Sequence, residues 1–360
     1  MGDNARQSSC LLKGGRFFLL EKERYLSDRF ALEPASDKQL LQDIWGTPWG
    51  VFCPVGPIRS VLMHRPGEEV LQIPKDQYEV EAGSLRLREV HGRSLSKGRG
   101  QDPPDLGLLQ AQHDGIAEAL RKAGAEVLML DQPESGVWPD RMFTRDLGMV
   151  LPGGVILSRF ALYLRQGETR IAQETLGRIG VPILGAIHGQ GFMEGGSFAL
   201  LDSRTAAVGR SERVNDAGIE QLRQLLRIQE VELLTIDMPS DKIHLDEAFL
   251  MLDTDKALVN PRLLPHWFLK ALHERNITML AVDPEDPPLT INALAVAPGK
   301  VLFSSEGCPT AELLQKNGIE VIPVEVSEIY KMGGGIHCVT LPLVREEDPF
   351  GRASAVTPRQ

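Results

Sequence analysis

The sequence predicts a mixed α/β fold in which one unit, strand–strand–helix–strand, occurs five times in a closed, roughly fivefold ring. Paired apolar runs separated by tight turns recur along the chain, as expected for β-hairpins. Each pair precedes a segment with helical apolar spacing and then a further apolar run. No such unit can bury its own apolar face, so five in succession favour a ring. The alternative is an ordinary α/β domain with coincidental hairpins.

The first two units are recognised by their strands and by the ends of their helices. The first opens with a single apolar run at residues 58–63, followed by a long insert and a helix that Gly124 caps. The second has a hairpin at residues 149–157, turned by Pro152-Gly153-Gly154, and its helix ends at Gly180.

The other three units repeat the order more completely. The third has a hairpin at residues 198–208 and a strand at 231–236, and its helix has apolar positions at helical spacing: Ile219, Leu222, Leu225 and Leu226. Asn276 and Gly318, both suited to the left-handed conformation, end the helices of the last two units. In the fourth unit the hairpin is predicted at residues 248–259, the helix at 266–275 and the third strand at 277–282. In the fifth unit the hairpin is predicted at residues 293–303, the helix at 311–317 and the third strand at 319–324.

We expect the five units to form a single catalytic domain that covers residues 41–350. The rest of the chain is predicted to form an N-terminal extension at residues 1–40 and a C-terminal tail at residues 351–360. Residues 81–105, rich in Arg, Gly and Ser, are typical of a surface loop or lid.

The composition limits the classes of function. The chain has 360 residues, 42% hydrophobic and 24% charged, as in ordinary globular proteins. A net charge of −10 argues against sequence-independent nucleic-acid binding and slightly favours a cationic substrate. The four cysteines lack paired spacing, which suits a reducing compartment: Cys10, Cys53, Cys308 and Cys338. No signal peptide or membrane span is visible, so we expect a cytoplasmic protein; homo-oligomer formation is left open.

The most informative stretch is Met332-Gly333-Gly334-Gly335-Ile336-His337-Cys338, in which glycines admit a ligand close to the backbone and a cysteine follows. Upstream segments supply the carboxylates of Asp146, Glu194 and Asp246, and the imidazole of His244. A guanidinium is planar and cationic, and its fork of N–H donors matches carboxylate oxygens in pairs. Bound in this way, it leaves its central carbon open to a thiolate. The set predicts a small-molecule site for a guanidino compound.

Other kinds of site fit less well. His244, Asp246 and Glu247 lack the His-Glu-x-x-His pattern, so we expect no metal. Gly189-Gln190-Gly191 is not followed by a third glycine opening a helix, so we expect no phosphate loop, no dinucleotide site and no cofactor. His337 either supports the thiolate of Cys338 or faces solvent on the opposite side of its strand.

Four motifs occur in order: Phe143-Thr144-Arg145-Asp146, Glu194-Gly195-Gly196, His244-Leu245-Asp246 and a C-terminal Gly-Gly-x-x-Cys ending at Cys338. Each is weak alone, but the ordered set, within residues 45–345, resembles the guanidine-modifying enzymes of the pentein superfamily. These include arginine deiminases, agmatine deiminases, dimethylarginine dimethylaminohydrolases and amidinotransferases. The resemblance implies the pentein fold, five ββαβ modules in a closed pseudo-fivefold α/β propeller.

The resemblance also implies roles for the site residues. Cys338 would attack the guanidinium carbon and form a covalent thiouronium-type intermediate. His244 would protonate the leaving amine and later activate water, while Glu194 orients it and contacts a substrate nitrogen. Asp146 and Asp246 would clamp the guanidinium between them.

The tail of the substrate is less defined. Two arginines match arginine deiminase motifs that bind the α-carboxylate of the substrate: Arg165 in Arg-Gln-Gly-Glu-Thr and Arg213 in Ser-Glu-Arg. Either arginine is also suited to a surface ion pair. Asp140 stands where arginine deiminases have asparagine, and Gly335 is expected to admit the substrate close to the backbone. Ser197 replaces an aspartate after Glu-Gly-Gly, and no arginine directly precedes the cysteine.

These features predict a hydrolase that converts arginine or an arginine derivative to a ureido product such as citrulline, with release of ammonia or an alkylamine. An amidinotransferase would form the same covalent intermediate and pass it to an amine acceptor. An arginine dihydrolase that gives ornithine and a non-catalytic binding relative are further alternatives. The residues alone do not separate them.

Overall fold

The structure is a computed structural model that describes residues 38–71, 104–131 and 138–347. The predicted tail and most of the predicted extension and lid lie outside these residues. Helix α1 (Lys38–Trp45) crosses the predicted boundary at residue 40. Within the described ranges, no helix is long and apolar enough to cross a membrane.

The strands form five separate sheets, and four of them follow the predicted order of two antiparallel strands, a helix and a parallel third strand. The second unit contains β4 (Gly148–Leu151), β5 (Gly154–Leu157), α3 (Glu168–Ile179) and β6 (Ile183–Ala186). The third contains β7 (Phe198–Leu200), β8 (Thr205–Arg210), α4 (Asp216–Arg227) and β9 (Glu232–Asp237). The fourth contains β10 (Phe249–Asp253), β11 (Lys256–Val259), α5 (His266–Glu274) and β12 (Thr278–Ala281). The fifth contains β13 (Leu294–Ala297), β14 (Lys300–Ser304), α6 (Cys308–Lys316) and β15 (Glu320–Val324).

The first unit is assembled from both ends of the described chain. Strand β2 (Ile58–Met63) pairs in parallel with β3 (Glu126–Met129), and helix α2 (Leu106–Lys122) lies between them in sequence. The antiparallel partner of β2 is β16 (Leu341–Arg345). This pairing explains why the sequence showed a single apolar run at the start of the first unit: the strand equivalent to the first strand of the other units is β16, which follows Cys338. Strand β1 (Gly50–Val51) adds a fourth strand beside β16, and the short helix α7 (Ser327–Lys331) precedes the glycine-rich stretch.

The helix ends predicted from glycine and asparagine are confirmed. Gly124, Gly180, Asn276 and Gly318 all have positive φ, the conformation that these residue types adopt at low cost. Each of these helices is therefore stopped at the residue where the chain turns back toward the third strand of its unit.

One cavity, of about 80 Å³, is lined by residues from the first strands of all five units. Its lining includes, one from each unit, Gly148, Ala199, Met251, Ala295 and Pro342. This is the arrangement expected if the five first strands surround a common axis. The sheets are separate and no single closed sheet connects the described strands, so the closed propeller stays a prediction.

Short 3₁₀ turns directly precede the first strands of the last four units: Thr144–Leu147, Gly195–Ser197, Leu245–Glu247 and Pro288–Ile291. Each of these turns contacts the next along the chain, and the first also contacts β16. Residues in or beside the turns are therefore brought together from distant parts of the sequence.

Candidate active site

The predicted acids and the cysteine lie at these converging positions. Asp146 and Asp246 are within 3₁₀ turns, and Glu194 immediately precedes one. All three are buried, with 0–2% of their surface exposed. Cys338 lies just before β16 and is 7% exposed. The site residues therefore have equivalent placements at the start of successive units.

His244 forms the centre of a charged group. Its Nε2 lies 2.8 Å from Oε2 of Glu194, and its Nδ1 lies 3.6 Å from Oδ1 of Asp146. Burial opposes a charge on His244, but Asp146, Glu194 and Asp246 outweigh it and raise its pKa to about 9. His244 is therefore an imidazolium at neutral pH, in position to give up a proton.

Cys338 is a thiol in this environment. Its Sγ lies 3.7 Å from Oδ2 of Asp246. Burial, with Asp246 and Asp146, raises the pKa of Cys338 well above its ordinary value. The resident groups therefore favour the protonated sulfur, and a cation bound beside it would favour the thiolate.

His337 lies inside the site, so the alternative that it faces solvent is wrong. Its Nδ1 donates to Oδ2 of Asp246 at 2.7 Å. Burial and the charge of Arg145 lower the pKa of His337 to about 4, despite the opposing effect of Asp246. As a neutral imidazole it fixes the carboxylate of Asp246 and contributes no positive charge to the thiol.

Asn292 is a site residue that the sequence analysis missed. Its Oδ1 accepts from the backbone N–H of Cys338 at 3.1 Å, and its carbonyl oxygen accepts from the N–H of His337 at 3.2 Å. Its Nδ2 donates to the carbonyl oxygen of Asp246 at 3.4 Å. Its position in the sequence could have identified it. Asn292 precedes the first strand of the fifth unit, just as Asp146, Glu194 and Asp246 precede the first strands of the second, third and fourth units.

Gly335 packs against Asn292. A Cβ atom at residue 335 would lie 2.8 Å from both Cβ and Oδ1 of Asn292. Glycine at this position therefore allows the segment that carries Cys338 to pack against Asn292. The substrate contact predicted for Gly335 stays a prediction.

Arg165 does not fit the role that was predicted for it, because its guanidinium is already bound. Its Nε and Nη2 donate to the two carboxylate oxygens of Glu168 at 3.0 and 2.9 Å, and its Nη1 donates to Oδ2 of Asp146 at 2.6 Å. Burial opposes the charge, but Glu168 and Asp146 raise the pKa of Arg165 further, so the group stays charged. A fork-to-fork pair of this kind leaves few donors for the carboxylate of a substrate.

Asp146 is consequently less available than predicted. Its Oδ2 is taken by Arg165, and its Oδ1 accepts from the backbone N–H of Gly196 at 3.1 Å. A Cβ atom at residue 196 would lie 2.7 Å from this oxygen and from Nδ1 of His244, which accounts for the glycine. Both carboxylate oxygens of Asp146 therefore already accept hydrogen bonds from the protein, from Arg165 and from Gly196, which makes Asp146 a poor acceptor for a ligand.

Two other carboxylates each retain an unused oxygen. Oδ1 of Asp246 and Oε1 of Glu194 are buried and have no hydrogen-bond partner among the described residues. Buried acceptors of this kind are costly to leave unpaired. They are suited to N–H donors of a ligand that enters beside Cys338.

Arg213 and Asp140 lie at the edge of this group. Nη1 of Arg213 is 3.7 Å from Oε1 of Glu194, and its Nε is 3.5 Å from Oε1 of Glu212. The carbonyl oxygen of Asp140 accepts from Nη2 of Arg165 at 3.5 Å. Asp140 thus supports Arg165 through its backbone, and the substrate contacts predicted for Arg213 and Asp140 stay predictions.

Asp146, Glu194 and His244 also have ligand atoms close enough together to hold a metal ion. However, Nη1 of Arg165 lies 2.6 Å from Asp146 and 3.9 Å from Glu194, so a fixed cation already faces two of the three. Glu247, the remaining residue of the metal alternative, accepts from the backbone N–H groups of Ile243 and His244 and so shapes the turn. The electrostatics favour a hydrogen-bonded group over a metal centre.

This arrangement places the protein in the pentein superfamily of guanidine-modifying enzymes, as the motifs predicted. More narrowly, residues 108–345 match the family model described as "N,N dimethylarginine dimethylhydrolase, eukaryotic", and the chain belongs to that family.

Two curated relatives illustrate the similarity in sequence. The chain is 28% identical over 236 residues to the uncharacterized protein YkgA of Bacillus subtilis, covering 66% of this chain and 80% of the relative. It is 23% identical over 418 residues to the arginine deiminase of Clostridium perfringens, covering 81% of this chain and 97% of the relative.

Solved structures with low identity share the fold. The dimethylarginine dimethylaminohydrolase of Pseudomonas aeruginosa, a cysteine-to-serine mutant complexed with citrulline, has a TM-score of 0.63 at 20% identity, covering 79% of this chain and 99% of that one. The amidinotransferase SxtG of Microseira wollei has a TM-score of 0.66 at 17% identity, covering 83% and 98%. The N-terminal domain of ArgZ, a cyanobacterial arginine dihydrolase, has a TM-score of 0.64 at 20% identity, covering 80% and 98%.

Proposed function

We propose that this protein hydrolyses the guanidino group of arginine or of an Nω-substituted arginine through a covalent intermediate on Cys338. The observation that carries the proposal is the buried thiol of Cys338, 3.7 Å from the carboxylate of Asp246, whose other oxygen has no partner among the described residues. Family membership supports a guanidino-modifying activity, and the family description names a dimethylarginine hydrolase.

Binding uses the unpaired acceptors. The substrate guanidinium donates to Oδ1 of Asp246 and to Oε1 of Glu194, two buried oxygens without hydrogen-bond partners among the described residues. Its positive charge then lies beside Cys338 and offsets the carboxylates that raise the pKa of the thiol. The thiol proton is released to solvent, and the thiolate forms next to the carbon that it attacks.

The first chemical step forms the S–C bond and breaks a C–N bond. The thiolate of Cys338 adds to the guanidinium carbon, and the imidazolium of His244 gives its proton to the departing nitrogen, so that ammonia or an alkylamine leaves. The product of this step is a thiouronium on Cys338. Glu194, 2.8 Å from Nε2 of His244, holds the ring during the transfer.

The second step is hydrolysis. His244, now neutral, takes a proton from a water molecule that adds to the thiouronium carbon. The S–C bond then breaks, which returns the electron pair to sulfur, and the hydroxyl proton of the adduct passes to the thiolate as the ureido C=O forms. His244 is again protonated, as its pKa of about 9 requires at neutral pH.

The tail of the substrate is assigned to Arg213. Arg165 is bound by Glu168 and Asp146, whereas Arg213 lies at the edge of the site, 3.7 Å from Glu194. A cation at this position favours a substrate with a carboxylate, that is an α-amino acid, over agmatine. We also propose that the five units close as a ring around the site, since their first strands share one cavity.

Product analysis in H₂¹⁸O tests the reaction. The protein is incubated with L-arginine, Nω-methylated arginines or agmatine, each with and without glycine or lysine, and the products are identified by mass spectrometry. Hydrolysis predicts a ureido product that carries one ¹⁸O and forms without an acceptor. A new guanidino compound that forms only with an acceptor, together with ornithine, would instead establish an amidinotransferase. Ornithine with ammonia and no acceptor would indicate two hydrolytic rounds.

A further inference from the structure

The cavity between the first strands contains positive charge that the proposed reaction does not use. Arg145, Arg345 and His337 line it, along with apolar and glycine residues of the five units. Arg345 is 5% exposed, and its Nη1 donates to the carbonyl oxygen of Gly56 at 2.8 Å. Nε of Arg145 is 3.4 Å from the carbonyl oxygen of His337. Two arginines therefore line one small cavity.

Neither guanidinium forms an ion pair with a carboxylate in the part of the chain that the structure describes. Nη2 of Arg145 is buried without a hydrogen-bond partner there. Burial and the like charge of Arg145 lower the pKa of Arg345 to about 9. Asp246 and Asp146 partly offset the charge of Arg145 from a distance, but one oxygen of Asp246 accepts from His337 and Asp146 is bound by Arg165.

Buried charges are stable in proteins when a counter-charge and hydrogen bonds accompany them. A volume of about 80 Å³ is several times the roughly 15 Å³ that one water molecule needs. The space is therefore large enough for a monatomic anion with water, and it is too small for a large organic acid.

We propose that this cavity is a binding site for a small inorganic anion of the halide class, held between Arg145 and Arg345. The proposal is independent of the reaction on Cys338. It has a consequence for the neighbouring segment, because the backbone N–H of Arg145 donates to the carbonyl oxygen of Cys338 at 3.0 Å. An anion that fixes Arg145 also fixes the chain that carries the thiol.

Bromide is the probe, because its anomalous scattering identifies it in a crystal. We expect an anomalous peak in the cavity beside Arg345 in crystals grown with sodium bromide. In solution, the Tm of the full chain should rise saturably by a few degrees when bromide or chloride replaces gluconate at constant ionic strength. Water alone in the cavity, or a Tm that does not depend on which anion is present, would overturn the proposal.

Variants separate a specific site from a general salt effect. Arg345→Met should abolish the halide-specific part of the Tm change, whereas Arg345→Lys should retain part of it. The matched control is Arg262→Met, because Arg262 is exposed and remote from the cavity lining. An unchanged halide response in Arg345→Met would contradict the assignment. If that variant does not fold, the bromide crystal and the wild-type Tm series decide.

Discussion

Each of the two sides of the candidate active site contains a buried aspartate, but the two carboxylates are in different states. The nucleophile side is formed by Asp246, His337, Cys338 and Asn292. Here Oδ1 of Asp246 has no hydrogen-bond partner among the described residues, and the thiol of Cys338 is protonated. On the arginine side, formed by Asp146, Arg165 and Glu168, every carboxylate oxygen accepts a hydrogen bond from within the chain. One side is prepared for a cationic ligand, and the other already contains one. A guanidinium held by carboxylates is thus built into the fold beside the place proposed for the substrate.

The largest effect is expected from the nucleophile. Cys338→Ser should lower kcat by roughly 1,000-fold or more, because a hydroxyl at this position is far less acidic than a thiol. Turnover of the best guanidino substrate is the measurement, with calorimetric binding as evidence that the site is intact. Cys308→Ser, at an exposed position, is the control and should be unchanged. Substantial turnover by Cys338→Ser would remove the nucleophile assignment.

Amide substitutions of the two aspartates should separate the two sides. Asp246→Asn should lower kcat/KM by about 100-fold, since the charge facing the substrate is lost, with little change in stability. Asp146→Asn should instead cost about 3 kcal/mol of unfolding free energy, because it removes one partner of the buried Arg165. Both quantities are measured for both variants. Equal stability losses in the two would show that the sides do not differ as described.

Asn292 offers a smaller test on the nucleophile side. Asn292→Ala removes the acceptor for the N–H of Cys338 and should lower kcat about tenfold, with little change in KM, by loosening the position of the thiol. Steady-state kinetics measure this split. Asn317→Ala is the control, because its side chain only caps α6 through the carbonyl oxygen of Leu313. A change confined to KM would indicate a direct substrate contact.

The pH dependence of stability tests the charge on His244. Its pKa of about 9 in the folded protein exceeds the ordinary 6.5, so the native state binds this proton more tightly than the unfolded state does. The stabilisation is complete below pH 6.5 and is lost as the pH rises through 9. The Tm of the wild type should therefore fall by a few degrees more than that of His244→Gln between pH 6 and pH 10. Parallel curves would mean that His244 is neutral when folded.

Much of the fold was predictable because its signals are local. The hairpin at residues 149–157 and the helix ends at Asn276 and Gly318 follow from turn chemistry and from the left-handed conformation. The pairing of β2 with β16 was not predictable in this way, since no local pattern identifies a partner so distant in sequence. The first unit therefore looked incomplete.

The clustering of the candidate site residues was predicted from the sequence, but their hydrogen-bond partners and protonation states were not. Asp146, Glu194, His244, Asp246 and Cys338 come together as expected, because equivalent positions of repeated units converge. The internal pairing of Arg165 with Glu168 and Asp146 was missed, since a motif does not show which donors the fold has already used. No motif shows the raised pKa of the Cys338 thiol either, because it depends on burial and on charges from two other units.

The pairing of β2 with β16 has a consequence for how the protein is made. Strand β2 cannot obtain its antiparallel neighbour until β16 has been synthesised, so the second to fifth units can form before the first does. The joining step closes a loop of almost the whole described chain and should be slow. Because Cys338 immediately precedes that last strand, a chain that terminates early lacks both the closing strand and the reactive sulfur. Unfinished molecules are therefore expected to be chemically inert.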